Sequence, residues 1–125
     1  MLERSLTGYK VLVVDDAIDS RVLSTRILEI HGARVELAED GVEACKMAMA
    51  SDYDVVIMDM RMPNMDGDEA TKLLRSKGYT KPIVALSGVC LEEGKVKDLG
   101  FDKALLKSVD FKSLVSTVQT FPRGV

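Results

Sequence analysis

Four short apolar runs, each followed by a segment with helical spacing, constrain this chain more than any other feature. "YKVLVV" (9–14), "YDVVIM" (53–58) and "PIVAL" (82–86) are near-continuous, whereas "RVELA" (34–38) is shorter and alternates. Continuous runs of this length suit strands covered on both faces, as in parallel sheets. "KALL" (103–106) is a fifth, weaker candidate. In 19–31, Leu23, Ile27 and Ile30 fall at i, i+4 and i+7, with Asp19 available as N-cap and Gly32 as stop. Val42, Cys45 and Met49 repeat through 41–50 after Asp40, and Ala70, Leu73 and Leu74 form one stripe in 67–77, ended by Lys77-Gly78. Phe111, Leu114, Val115 and Val118 mark a last helix over 110–120, capped by Asp110. Gly94 interrupts a weaker helical segment at 90–99. The order β-α, five times over, predicts an α/β fold with a parallel sheet, right-handed crossovers and helices on both faces.

A chain of 125 residues reads as one domain, with loose ends expected at 1–8 and 121–125. The net charge of −3 gives no general attraction to nucleic acid or to an anionic membrane surface. No run has transmembrane length or the form of a secretion signal, so the sequence predicts a cytoplasmic protein with neither a membrane nor a direct nucleic-acid partner. Cys45 and Cys90 lack metal-type spacing, and Cys45 in its amphipathic segment is expected to be a buried free thiol. His31 before Gly32 suits a helix C-terminus. The glycines form no phosphate-binding fingerprint, and Met58, Met60, Met62 and Met65 are expected to pack a loop.

Open parallel sheets bind ligands beyond the carboxyl ends of their strands. The first run ends in Asp15-Asp16, the third in Asp59, the fourth in Ser87 and the fifth in Lys107. Singly, each has an ordinary explanation: aspartates cap helices, Ser-Gly is a turn pair, and a lysine is usually solvated. Together they put three carboxylates, a hydroxyl and an amine at one edge. Carboxylates so grouped need a cation or a proton. All-oxygen ligation suits Mg²⁺, and Mg²⁺ with a lysine suits phosphoryl transfer. Asp59 is then a candidate nucleophile, because aspartate can form an acyl-phosphate.

"VLVVDD", "DVVIMDMRMPNMDG", "PIVALSG" and "LLK" occur in this order on these elements, and over about residues 8–120 the chain resembles a response-regulator receiver domain of two-component signalling. "LTGYKVLVVDDAIDSR" and "GARVELAEDGVEA" look most like receivers attached to hybrid histidine kinases. The resemblance implies a flavodoxin-like, doubly wound (βα)5 fold with strand order 2-1-3-4-5. It implies that Asp59 accepts a phosphoryl group from a phosphohistidine on a histidine kinase or a histidine phosphotransfer protein. Asp16 would bind Mg²⁺ directly, Asp15 directly or through water, and the backbone carbonyl of Arg61 would complete the protein ligands. Lys107 would contact phosphoryl oxygens, Ser87 would be the switch hydroxyl, and output would pass to a downstream protein partner.

Several positions depart from the family pattern. Ser108 replaces the proline that usually follows the lysine, and a cis bond without proline costs roughly 2.5–4 kcal/mol, so a trans bond and an altered loop are expected. Ala104 replaces the aromatic residue that usually partners the switch hydroxyl. The segment from Ser87 to Lys107 looks about two residues short, which should shorten the fourth helix. Arg61 and Val89 flank the site where the family tunes phosphate lifetime. Two other classes fit less well: an aspartyl-nucleophile phosphohydrolase, disfavoured by Arg61 in place of a second acid, and a pseudo-receiver, disfavoured by the complete residue set.

Overall fold

Alternate residues of the central strands point to opposite faces of the sheet, and both sets are buried, which explains the continuous apolar runs. The computed structural model describes residues 5–107 and 111–123. Its strands are β1 (Lys10–Val14), β2 (Arg34–Ala38), β3 (Val55–Asp59), β4 (Ile83–Ser87) and β5 (Lys103–Leu106). All pairings are parallel, in the order β2-β1-β3-β4-β5, so the expected flavodoxin-like order holds. The helices are α1 (Ile18–Ile30), α2 (Gly41–Ala50), α3 (Gly67–Ser76), α4 (Glu93–Asp98) and α5 (Phe111–Gln119).

Val11, Val13, Val55, Ile57, Val84 and Leu86 face one way, against Leu28 of α1 and Leu114 and Val118 of α5. Leu12, Val14, Val56, Met58, Ile83 and Ala85 face the other way, against α2, α3 and α4 through Ala44, Cys45, Ala70, Leu74 and Val96. Each large side chain so buried contributes about 1.5–3 kcal/mol, and the two layers fix the sheet between them. The edge strand β2 is only partly covered: Ala38 is buried, but the apolar Leu37 is exposed.

Several expectations need correction. Asp19 is not the N-cap of α1. Ala17 holds that position and Asp19 lies in the first turn, because the Ala17 N–H is drawn to Asp15 Oδ1. The stripe Leu23–Ile27–Ile30 does not face the core: Leu23 and Ile30 are exposed, and Ser24 and Leu28 are buried instead. In α2 the buried residues are Gly41, Ala44, Cys45 and Ala48, while Val42 and Met49 are exposed. Small residues at these contacts let the helices approach closely, and the larger apolar residues are turned outward. In α3, Ala70 and Leu74 are buried as expected, with Leu73 partly so.

Residues 5–8 and 121–123 are better anchored than expected, and the rest of the expected loose ends, 1–4 and 124–125, lies outside the described residues. Leu6 is fully buried, its N–H donates to the His31 carbonyl, and Tyr9 Oη donates to the Phe121 carbonyl. Arg123 reaches back to the Thr7 carbonyl, so residues 5–8 and 121–123 are laced to one another. Gly32, at φ 103°, ends α1 after the His31 cap. Helix α4 covers only Glu93–Asp98 rather than 90–99, in keeping with a short fourth-helix region. Cys45 and Cys90 are free, the first buried and the second exposed. Ser108 and Asp110, the expected trans-bond residue and the expected α5 cap, lie outside the described residues, as does the side chain of Phe111. Among the described residues, no helix is long and apolar enough to cross a membrane.

Candidate functional site

The strand order decides which strand ends meet. Strand β1 lies beside β3 with Val14 opposite Met58, so Asp15 and Asp16 emerge next to Asp59. Asp59 is the last residue of β3 and Ser87 the last of β4. Lys107 follows the outer strand β5, and its backbone N–H donates to the Ser87 carbonyl at 2.7 Å. From there its long side chain crosses β4 to reach the centre.

Asp15, Asp16, Asp59 and Lys107 converge, and Ser87 lines the same cleft as Asp59. Ligand oxygens of Asp15, Asp16 and Asp59 lie within 4.8 Å of one another. Lys107 Nζ donates to Asp59 Oδ2 at 2.8 Å and faces Asp15 Oδ2 at 3.4 Å. Asp15 is fully buried and Asp59 is 4% exposed, whereas Asp16 opens to solvent. Asp15 Oδ1 accepts from the Ala17 N–H at 2.9 Å, while its buried Oδ2 accepts no hydrogen bond. That oxygen faces the Lys107 ammonium, an ion pair without a hydrogen bond. Burial pushes the Asp15 carboxyl above its ordinary range; the Ala17 N–H opposes this, Asp59's charge reinforces it, and Lys107 does not cancel it. Burial alone would lower the Lys107 amine, but the hydrogen bond and charge of Asp59, then Asp15, leave it raised. The lysine therefore stays charged.

The loop after Asp59 is tied to the site by its backbone. Met60 N–H donates to the Leu86 carbonyl, and Arg61 N–H reaches Asp59 Oδ1 at 3.3 Å, which sets the Arg61 peptide beside the carboxylate. Met62 is buried and Met60 and Met65 pack partly against the core, as the loop's methionines were expected to do. Gly67 at the start of α3 lies so close to the site that a Cβ there would sit 2.1 Å from the Asp59 carbonyl oxygen. Next to the carboxylates is an open cleft of about 480 Å³ lined by Asp59, Arg61, Ser87, Val89 and Lys95 among others. The Ser87 hydroxyl is turned within its own loop, donating to the Val89 carbonyl at 2.7 Å and accepting from the Val89 N–H at 3.2 Å. Ala104 stands opposite Ala85 on β5 and leaves a shallow groove against Leu91 and Val96 of the α4 region.

The residues present fit a hard divalent cation: three carboxylates, one with an unsatisfied buried oxygen, on an edge open to water. A sequence model of the response regulator receiver domain matches residues 11–119. The chain belongs to the response regulator receiver domains. This receiver is 34% identical over 142 aligned residues to "Probable histidine kinase 2" of Oryza sativa subsp. indica, a match covering 98% of the chain and 14% of that protein. It spans about half or less of the length of the curated relatives first matched, which include histidine kinases and transcriptional regulatory proteins. Among solved structures it is similar to the chemotaxis protein CheY4 of Vibrio cholerae, with 35% identity, a TM-score of 0.83, and coverage of 93% and 100% of the two chains. It is also similar to the response regulator TrrA of Thermotoga maritima in complex with Mg²⁺-BeF, with 30% identity, a TM-score of 0.81, and coverage of 90% and 97%. The receiver is thus a two-component signalling domain with a cluster of carboxylates able to hold a metal ion.

Two neighbours of the site were not singled out from sequence. Arg21 on α1 donates to the Asp15 backbone carbonyl at 3.1 Å and holds the turn after β1. Asp66 Oδ1 accepts from the Met62 N–H at 3.0 Å and closes the loop after Asp59. Both contacts depend on the folded path of the chain, although Asp66 stands at an N-cap position that sequence marks as polar.

Proposed function

We propose that Asp59 accepts a phosphoryl group from a phosphohistidine, carried by a histidine kinase or a histidine phosphotransfer protein, in a Mg²⁺-dependent reaction. The observation that supports this most is the buried Asp15–Asp59 pair, with the exposed Asp16 beside it and the Lys107 amine reaching both buried carboxylates. Asp15, Asp16, Asp59 and the Arg61 backbone carbonyl would hold Mg²⁺, which when bound neutralises charge on the phosphoryl oxygens.

The chain's own groups supply the remainder. A carboxylate oxygen of Asp59 forms a bond to phosphorus as the phosphorus–nitrogen bond to the donor imidazole breaks. The imidazole nitrogen keeps the bonding pair. Lys107, kept charged by its neighbours, exchanges its carboxylate contact for a phosphoryl oxygen. Ser87 gives up its bonds to Val89 and donates to another phosphoryl oxygen, which draws the segment after β4 inward. Little opposes that movement, since Val89 is 67% exposed. The result is a population shift of the Ser87 loop and the short α4 face. With Ala104 in the aromatic position, the usual coupling of Ser87 to an aromatic side chain cannot operate, and the output passes to a downstream protein partner through the Ser87 loop and the α4 face. The exposed thiol of Cys90 supports a reducing, cytoplasmic setting.

Incubation with a small acyl or amido phosphate donor and Mg²⁺ tests this reading by intact mass. One added phosphoryl group is expected on the wild type and none on Asp59→Asn. Equal labelling of the two, or no labelling of either, refutes it.

A further inference from the structure

The loop that carries Arg61 is held at its far side by a residue of another helix. Asn64, at the loop's tip, has a left-handed backbone at φ 67°, a conformation that asparagine tolerates better than other non-glycine residues. Its Nδ2 donates to Asp40 Oδ2 at 2.7 Å. Asp40 is the N-cap of α2, and its other oxygen accepts from the Glu43 N–H at 2.8 Å. One carboxylate thus caps its own helix and grips the loop. The next residue repeats the link through the backbone: Gly41 N–H donates to the Met65 carbonyl at 3.1 Å, and a Cβ on Gly41 would stand 2.5 Å from that oxygen.

Within the loop, further bonds make residues 60–67 a closed ring. Gly67 N–H donates to the Met60 carbonyl at 3.1 Å, Met65 N–H to the Pro63 carbonyl at 2.7 Å, and Met62 N–H to the Asp66 carboxylate. A ring of this kind moves as a unit, so fixing its tip also fixes the Arg61 peptide on its opposite side. Both ends of the ring lead to functional atoms: Arg61 N–H contacts Asp59 Oδ1, and Gly67 abuts the Asp59 carbonyl.

We propose that Asp40 and Asn64 are positioning residues that pre-organise the 60–67 loop for binding the cation, although neither belongs to the carboxylate cluster. The inference rests on the Mg²⁺ reading above and deepens it. Coupling of this sort is reciprocal: if the clasp favours the cation, the cation tightens the clasp and the first turn of α2. Preorganisation acts on affinity, not on the chemistry at Asp59.

Asn64→Gly tests this, because glycine accepts the left-handed backbone and removes the bridging amide, at the cost of added backbone freedom in the loop. Asp40→Ser keeps a capping oxygen but has a single acceptor for two donors. Titration with Mg²⁺ alone, followed by calorimetry or NMR, is expected to show binding weakened about 2–5-fold in either variant, the range for one exposed hydrogen bond to a charged group. The double variant should be no weaker than the single ones. The Mg²⁺ concentration for half-maximal phosphorylation should rise by the same factor, with the rate at saturating Mg²⁺ unchanged. In the wild type, Mg²⁺ should slow hydrogen exchange at the Glu43 amide, a readout that needs no variant to fold. Wild-type affinity in Asn64→Gly, or a Glu43 amide indifferent to Mg²⁺, overturns the clasp. Asp16→Asn separates the two levels. If it weakens binding and Asn64→Gly does not, the clasp alone fails; if the wild type binds no Mg²⁺, the metal reading and the clasp fail together.

Discussion

Replacing Asp15 by asparagine should make the receiver more stable when no divalent cation is present. The side chain is fully buried, with one oxygen accepting no hydrogen bond. Its nearest charges almost balance. At the 4.8 Å limit that separates it from Asp59, an effective dielectric of 20 gives about 3.5 kcal/mol of repulsion. Lys107 at 3.4 Å returns about 5 kcal/mol of attraction on the same scale. What remains is the desolvation of a carboxylate, several kcal/mol, met in part by the Ala17 N–H. Solvent entering past Asp16 reduces every one of these figures, so Asp15→Asn is expected to add about 1–2 kcal/mol near pH 7, or about 3–8 °C in Tm.

The pH dependence has a definite sign. The folded carboxyl is raised above its unfolded value, chiefly by burial. Its favourable contribution is therefore complete below the unfolded pKa of about 3.9 and is lost as pH rises through the folded pKa. The advantage of asparagine should accordingly be small near pH 4 and full near neutrality. Mg²⁺ should narrow this gap and, at about 100 times the wild-type Kd, reverse the ranking, because wild type then gains about 2.7 kcal/mol and the variant gains less. Urea melts at both pH values, with and without Mg²⁺, measure this. A variant less stable than wild type at neutral pH without Mg²⁺, or stabilised by Mg²⁺ as much as wild type, would refute the reasoning.

Gly67→Ala must displace either α3 or the Asp59 backbone, with an expected loss of about 1–3 kcal/mol or more in denaturant melts and a fall in phosphorylation by a small donor. Arg75 joins α3 to the Gly100, Tyr79 and Lys81 carbonyls and to Asp102; Arg75→Ala should lower stability by about 2–3 kcal/mol, seen in the same melts. Tyr53, with its hydroxyl on Glu36 Oε1, and Tyr79 are each raised to about 12, chiefly by burial. Ultraviolet titration should show both phenols ionising near that pH. Because their folded pKa values are raised, the stability they contribute is complete below the unfolded value of about 10 and is lost as pH rises through the folded values, so Tyr53→Phe should flatten the alkaline fall in stability.

The strands were legible because burial on both faces leaves a continuous apolar signature, and their boundaries moved by one or two residues at most where they moved. The site was legible for a related reason: a parallel sheet turns strand ends into neighbours, so Asp15, Asp16, Asp59, Ser87 and Lys107 could be gathered before any distance was known. Helix facing was not legible. Periodicity weights large side chains, but Ser24 and Leu28 face inward on α1 and Ala44, Cys45 and Ala48 on α2. Close approach selects small residues, and only tertiary packing reveals it. The Asp40–Asn64 bridge was equally hidden, because its halves are 24 residues apart and each looks like an ordinary cap or turn residue.

Asp59, and no other carboxylate, is proposed to carry the phosphoryl group. An acyl-phosphate can be reduced by borohydride to an alcohol, which marks the modified aspartate permanently. After phosphorylation with a small donor and Mg²⁺, peptide mapping should find the reduced residue at Asp59 alone. A mark at Asp15 or Asp16, a mark at any other residue, or none in a protein that binds Mg²⁺ would contradict the claim.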